Sequence, residues 1–234
     1  MKLKDYKIIA GSEIISCTID YSAKESIPSI ICLHGGGPSS KNSTAYLSKE
    51  LVSIGRSVVR LDFSGHGEST GDIKNSSLAK RYFEACTIID EFKLEKDIIV
   101  IGTSMGGYIA SKIASTHDVN KLILFGPATY SQKAYELKFG NGFTQEIRRE
   151  KSYMDTDLDV MLKDFTGDSY LIYGDQENII PQDVLSMYRD LLQKSGQFKE
   201  MIIQDCPHPV HRWIKKQRAT KEILLKEIVD FIQN

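Results

Sequence analysis

The sequence contains no apolar run approaching the roughly 18 residues needed to cross a bilayer; its longest aliphatic stretches resemble IIVI at residues 98–101. The start, MKLKDYKIIAG, lacks the apolar core and small-residue cleavage site of a secretory leader. Cysteine is sparse. Cys17, Cys32, Cys86 and Cys206 are widely separated and form no CxxC pair, which argues against a disulfide framework and points to a reducing cytoplasm. Neither charge sign is in excess. Lys and Arg number 30 against 31 Asp and Glu, so the net charge of −1 offers no general attraction to nucleic acid or to an acidic membrane. Internal repeats, low-complexity tracts and a P-loop string are also missing.

What is present is a chain of 234 residues, 41% hydrophobic and 26% charged, a balance that folds around a sizeable core and excludes disorder. Short β-branched runs alternate with longer segments of helical period, the pattern of parallel strands joined by helical crossovers. The fold class is therefore α/β. Two strands near residues 6–9 and 14–19, joined by Gly11 and Ser12, read as an antiparallel hairpin at a sheet edge. Six core strands follow, at 29–34, 57–62, 97–102, 121–126, 169–174 and 200–205, each ending in a polar or glycine-bearing loop. Those loops share the sheet edge at which open α/β folds bind ligands. Helical stripes occur at Leu47, Leu51 and Ile54, closed by Gly55, and at Leu78, Tyr82, Ala85, Ile89 and Phe92. A last helix is expected from about Trp213, docking through Leu224, Ile228 and Ile232. Residues 128–167 break the alternation and carry many aromatic residues and methionines, which reads as a small helical cap. KFGNGF, with Gly140 and Gly142, supplies a flexible point within it.

The string IVIGTSMGGYIASKIA places GxSxG between a β-branched strand and a helix. A serine on such a turn holds its hydroxyl clear of the sheet, and side chains at Gly102 and Gly106 would collide with neighbouring backbone. Here the sequence resembles the α/β-hydrolase superfamily, from Ile30 to Ile232. The resemblance implies a mostly parallel eight-stranded sheet flanked by helices. It also implies that Ser104 is the nucleophile and that the Met105 amide is one oxyanion donor. LHGGGP at residues 33–38 matches the HGGG-type loop that lends the second donor, with Gly36 the first choice and Gly37 the next. His34 reads as a brace for that loop. LDFSGHGESTG at residues 61–71 resembles the loop that shapes the active-site floor in esterases, monoacylglycerol lipases and proline iminopeptidases, so His66 is not the expected base.

In this fold the carboxylate and then the histidine follow the serine in the chain. LIYGDQENIIP resembles the family string G-x-x-D-x-h-h-P and puts Glu177 at the acid position, where aspartate is usual; Asp175 is the alternative. CPHPVHRW places His208 at the base position, with His211 the competitor. Cys206, His208 and His211 lack the second ligand pair of a metal site. Asp155, Asp157 and Asp159 imitate a calcium loop, but Val160 and Thr166 stand where glycine and glutamate belong. The implied activity is hydrolysis of a small-molecule carboxylic ester through an acyl-enzyme on Ser104, needing no metal or other cofactor, with Phe139 and Phe143 of the cap contacting the acyl group. Small feruloyl or cinnamoyl esterases and monoacylglycerol lipases look most alike. Thioesterase, acyltransferase and aminopeptidase chemistry would use the same triad, and a non-catalytic binding module would keep only the pocket.

Overall fold

A computed structural model of the chain describes residues 2–234. Its eight strands form one sheet in the order β1-β2-β4-β3-β5-β6-β7-β8. β1 (Lys2–Ala10) and β2 (Glu13–Tyr21) make the edge hairpin, and Gly11 supplies the left-handed residue of its turn at φ +62°. Both strands are longer than their β-branched cores suggest. β2 runs antiparallel to β4 (Val58–Leu61), and every later pairing is parallel. The remaining strands are β3 (Ile30–Leu33), β5 (Ile98–Thr103), β6 (Val119–Phe125), β7 (Asp168–Gln176) and β8 (Phe198–Pro207). β3, β4 and β5 are buried almost throughout, as expected of strands covered on both faces.

The two faces of the sheet carry separate apolar cores. α1 (Ala45–Ser53) packs Leu47 and Leu51 with Leu224, Ile228 and Ile232 of α8 (Arg218–Gln233) on one side. On the other lie α2 (Leu78–Glu91), α3 (Met105–Ala114) and, further along the chain, α6 (Gln182–Leu192). Gly55 closes α1 at φ +98°, and the Ser77 hydroxyl caps α2 by accepting the Lys80 amide at 3.0 Å. Between β6 and β7 the chain forms α4 (Asn141–Arg148), α5 (Leu158–Leu162) and short 3-10 turns in place of a strand. Gly140 is the N-cap residue of α4 and Gly142 lies in its first turn, so the expected flexible point is a helix start. No helix among the described residues is long and apolar enough to cross a membrane. All four cysteines are unpaired, and only Cys86 is not fully buried.

Two further sequence expectations change. The single helix expected from Trp213 is two: α7 (Val210–Ile214) and α8, separated by Gln217 at φ −113°. The break lets α7 bury Val210, His211 and Ile214 before α8 sets its own stripe. The α2 stripe is also broader than its apolar period, because Arg81 and Glu84 are buried with it.

The hairpin is tied to the parallel sheet by a buried pair. Arg60 Nε donates to Asp20 Oδ2 at 2.8 Å, Ser48 donates to the same carboxylate, and Arg60 Nη1 reaches the Lys41 carbonyl at 2.9 Å. Arg60→Leu leaves the Asp20 carboxylate buried without its counter-ion, a defect that costs about 3–5 kcal/mol. Denaturant unfolding should show that loss, and Asp20→Asn combined with Arg60→Leu should recover part of it.

Candidate active site

Ser104 occupies the turn between β5 and α3 at φ 52°, ψ −117°, a conformation that side chains rarely adopt. The surrounding backbone enforces it. The Ser104 amide donates to the Phe125 carbonyl at 2.9 Å, and the Ser104 carbonyl accepts from the amides of Gly107 at 2.8 Å and Ala128 at 3.0 Å. Although Ser104 is the N-cap residue of α3, its hydroxyl makes no capping bond and faces His208 instead.

His208 follows β8, and Glu177 lies just beyond β7, so adjacent strands deliver both to the same sheet edge as Ser104. His208 Nδ1 donates to Glu177 Oε2 at 2.7 Å. That leaves Nε2 as an acceptor, 3.0 Å from the Ser104 hydroxyl. The other Glu177 oxygen accepts the amides of Ile179 and Ile180 at 2.8 and 3.0 Å. Burial pushes the Glu177 carboxyl up, but the His208 hydrogen bond and those two amides outweigh it and hold the group below its ordinary value. The Glu177 side chain is fully buried, whereas the His208 ring keeps some contact with solvent.

The alternatives are placed elsewhere. Asp175 is exposed and makes no hydrogen bond to His208. His211 is buried, with Nε2 bonded to the Thr103 hydroxyl at 2.7 Å, Nδ1 to the Tyr46 hydroxyl at 3.0 Å, and the Phe125 ring at 4.5 Å. Burial, then the Lys215 charge, pushes its pKa down to about 3. His34 Nδ1 donates to the Gly35 carbonyl at 2.7 Å and Nε2 accepts the Phe63 amide at 3.0 Å, so the ring joins the two loops after β3 and β4. His66 Nε2 accepts from Arg81 at 2.5 Å. Burial, then that cation, lowers the His66 pKa to about 4.

Gly36 borders the space beside Ser104, whereas Gly37 turns away at φ +63° and its carbonyl accepts the Ser39 amide at 2.8 Å. Two glycines overlooked in the sequence matter here. A β-carbon on Gly35 would stand 3.2 Å from the Ser104 β-carbon, and one on Gly126, at φ +48°, would stand 3.3 Å from Glu177 Oε2. Both end strands in glycine-bearing loops, which was the available signal.

Two cavities meet at Ser104. One of about 370 Å³ lies under the β6–β7 connection and includes Tyr130, Ile147, Tyr153, Ile179, Ile180 and Val184 in its walls. The other, about 270 Å³, is bordered by Gly36, Pro38, His208, Pro209 and Val210. Phe139 and Phe143 line neither. Their rings pack edge to face at 4.7 Å, Phe143 against Tyr130 and Phe139 over the Arg81 guanidinium, so they fasten the connection to α2. Arg81 also donates to Met105 Sδ at 3.1 Å and lies 5.0 Å from the Phe63 ring.

Comparison with known proteins gives the family. A model described as serine aminopeptidase, S33, matches residues 24–193. The mouse alpha/beta hydrolase domain-containing protein 10 has the same fold, with a TM-score of 0.71, 19% identity and coverage of 100% of this chain and 99% of that one. Est1E from Butyrivibrio proteoclasticus, solved with ferulic acid bound, gives a TM-score of 0.69 at 19% identity over 96% of this chain and 99% of that one. The human palmitoyl-protein thioesterase ABHD10, mitochondrial, is 32% identical over 90 residues, or 38% of this chain and 29% of that protein. The bovine protein phosphatase methylesterase 1 is 29% identical over 109 residues, 44% of this chain and 28% of that protein. The chain spans only about a third, or less, of the length of the curated relatives it matches.

The buried histidines make folding acid-sensitive. His211 takes its proton near pH 3 when folded and near its ordinary value of about 6.5 when unfolded, so the unfolded chain binds the proton first as pH falls. Stability is full above about pH 6.5 and is lost progressively towards pH 3. His211→Gln should flatten this decline in denaturation midpoints measured from pH 7 to pH 4; an unchanged slope assigns the acid sensitivity to other groups.

Proposed function

The chain belongs to the serine aminopeptidase S33 family of α/β-hydrolases, and from that premise we propose that it is a serine hydrolase that cleaves carboxylic esters through an acyl-enzyme on Ser104. The observation that carries the reading is the unbroken chain of hydrogen bonds from Glu177 through His208 to Ser104, at 2.7 and 3.0 Å. Ser104 Oγ attacks the substrate carbonyl as His208 Nε2 takes its proton. The imidazolium then gives that proton to the leaving group, and water repeats the cycle on the acyl-enzyme. Glu177 holds the imidazole in the tautomer whose free nitrogen faces Ser104. The oxyanion is received by the Met105 amide, at the positive end of α3, and by the Gly36 amide.

Residues 128–167 act as a cap on a single catalytic domain, and the cavity beneath them takes the acyl group. Tyr130, Ile147, Tyr153, Ile179, Ile180 and Val184 give it aliphatic and aromatic walls for an acyl or aryl chain, and the charged run Arg148, Arg149, Glu150 and Lys151 also borders it. The curated relatives include both a thioesterase and a methylesterase, and both bonds are acyl esters open to the same attack. The four unpaired thiols fit a reducing cytoplasm.

Ser104→Ala should abolish labelling by a fluorophosphonate probe and lower turnover of a 4-nitrophenyl ester by about 10⁴–10⁶. Glu177→Gln should lower kcat far more than Asp175→Asn. Wild-type turnover in Ser104→Ala would falsify the assignment, and the reverse ranking of the carboxylates would move the acid to Asp175.

Acyl-length preference tests the cap. Ile147 lies in the cavity wall and is 40% exposed, so Ile147→Ala should favour longer acyl chains by about 1–3 kcal/mol per accommodated methylene without unfolding the protein. Phe139→Ala should lower the melting temperature and leave the chain-length profile in place.

A further inference from the structure

The two cavities at Ser104 differ in one decisive respect: His208 borders the smaller and not the larger. In an acyl-enzyme mechanism the imidazole that accepts the serine proton hands it to the departing oxygen or sulfur, so the leaving group must lie within reach of His208 Nε2. The smaller cavity is therefore the leaving-group side. Pro38, Pro209 and Val210 give it apolar walls, and Ser39, Ser43 and Arg212 bring polar groups to it. The two serine hydroxyls are hydrogen-bonded to each other at 3.1 Å.

Arg212 is the unusual member. Arg56, Arg60, Arg81, Arg149, Arg189 and Arg218 are each hydrogen-bonded within the chain, five of them to carboxylates. Arg148 and Arg212 have no such partner among the described residues, and each borders a cavity at Ser104. Their surroundings separate them. The cavity beside Arg148 also carries Glu150 and Lys151, together with Arg149, which is bonded to Glu146 and Asp155, whereas no carboxylate lines the cavity beside Arg212. Lys215 and Lys216 follow on the same segment. Lys215 donates to the Asn42 carbonyl at 3.0 Å, and neither lysine has an acidic partner among the described residues. The leaving-group mouth thus carries one positive charge, the exposed Arg212, with no carboxylate lining the cavity to neutralise it.

We propose that the leaving group is anionic: an alcohol or thiol bearing a carboxylate or a phosphate, with its apolar body between Pro38, Pro209 and Val210 and its anion against Arg212. The inference rests on the serine-hydrolase reading above and narrows its substrate class. Atoms balance as in that reaction: the acyl group passes to Ser104 Oγ, the serine proton passes through His208 to the leaving oxygen or sulfur, and the anionic substituent departs unchanged.

The test compares kcat/KM for 4-butyryloxybenzoate, 4-butyryloxyphenyl phosphate and the neutral 4-butyryloxybenzamide in the wild-type protein, Arg212→Gln and Arg212→Glu. Taking the anionic-to-neutral ratio within each protein cancels effects on folding and on the shared acyl group. Comparing ratios between proteins cancels the intrinsic reactivity of each ester. The ratio should fall about two- to fivefold in Arg212→Gln, the size of an exposed ion pair, and further in Arg212→Glu. The difference should shrink in 1 M salt, where charges are screened within about 3 Å. A response confined to the benzoate or to the phosphate identifies which anion is recognised. An identical ratio in all three proteins, with fluorophosphonate labelling of Ser104 intact, overturns the proposal and leaves the hydrolase reading standing. Absence of labelling and of hydrolysis of every ester in the wild-type protein removes both.

Discussion

A β-carbon at position 106 would lie 2.4 Å from the Leu33 carbonyl oxygen, and one at position 102 would lie 2.5 Å from the Gly106 carbonyl. This close approach of α3 to β3 and β5 is the constraint on which the rest of the site depends. With nothing but hydrogen at both positions, the first turn of the helix lies directly on the strand ends, and Ser104 is forced into its left-handed conformation. Backbone strain of this kind costs on the order of 1–3 kcal/mol and persists only where surrounding structure overdetermines it. The amide and carbonyl bonds of Ser104 to Phe125, Gly107 and Ala128 supply that determination.

Beneath the site, a second layer fixes the loops that the glycines bring together. His34 joins the loop after β3 to that after β4, and its ring meets His66 edge to face at 4.8 Å. His66 is held by Arg81, whose guanidinium also touches the Met105 sulfur and lies between the Phe63 and Phe139 rings. Burial pushes the Arg81 pKa down to about 10, so the group remains charged at neutral pH. Its Nε and one Glu84 carboxylate oxygen have no hydrogen-bond partner, which makes this cluster an expensive element of the core. What it secures is a common anchor for the β4 loop, the residue after Ser104 and the β6–β7 connection.

The strands were legible because a sheet covered on both faces demands uninterrupted β-branched runs, and the helices because their stripes keep a period near 3.6. Glu177 and His208 were legible through their distance from Gly174 and from the last strand. His211 was not, because its hydroxyl partners Tyr46 and Thr103 lie 165 and 108 residues away, and no local pattern distinguishes a ring buried between them from one facing solvent. The break after α7 escaped for a related reason: two apolar stripes on consecutive helices look like one when the turn between them contains no glycine or proline. Phe139 and Phe143 looked like pocket residues by composition. The feature that draws them elsewhere, a buried arginine on α2, is invisible to a search that expects Lys and Arg outside.

The spacing of the hydrogen-bonded chain also bears on how the molecule assembles. Ser104 and His208 are separated by 104 residues, and His208 directly follows β8, the last strand at its edge of the sheet. A contact of such long sequence range carries a loop-closure cost that a local one does not. The Ser104 hydroxyl meets the imidazole only where β8 is paired with β7. The Ser104–His208 hydrogen bond is thus a local marker of the docking of β8 at the sheet edge, distinct from the burial of the two cores.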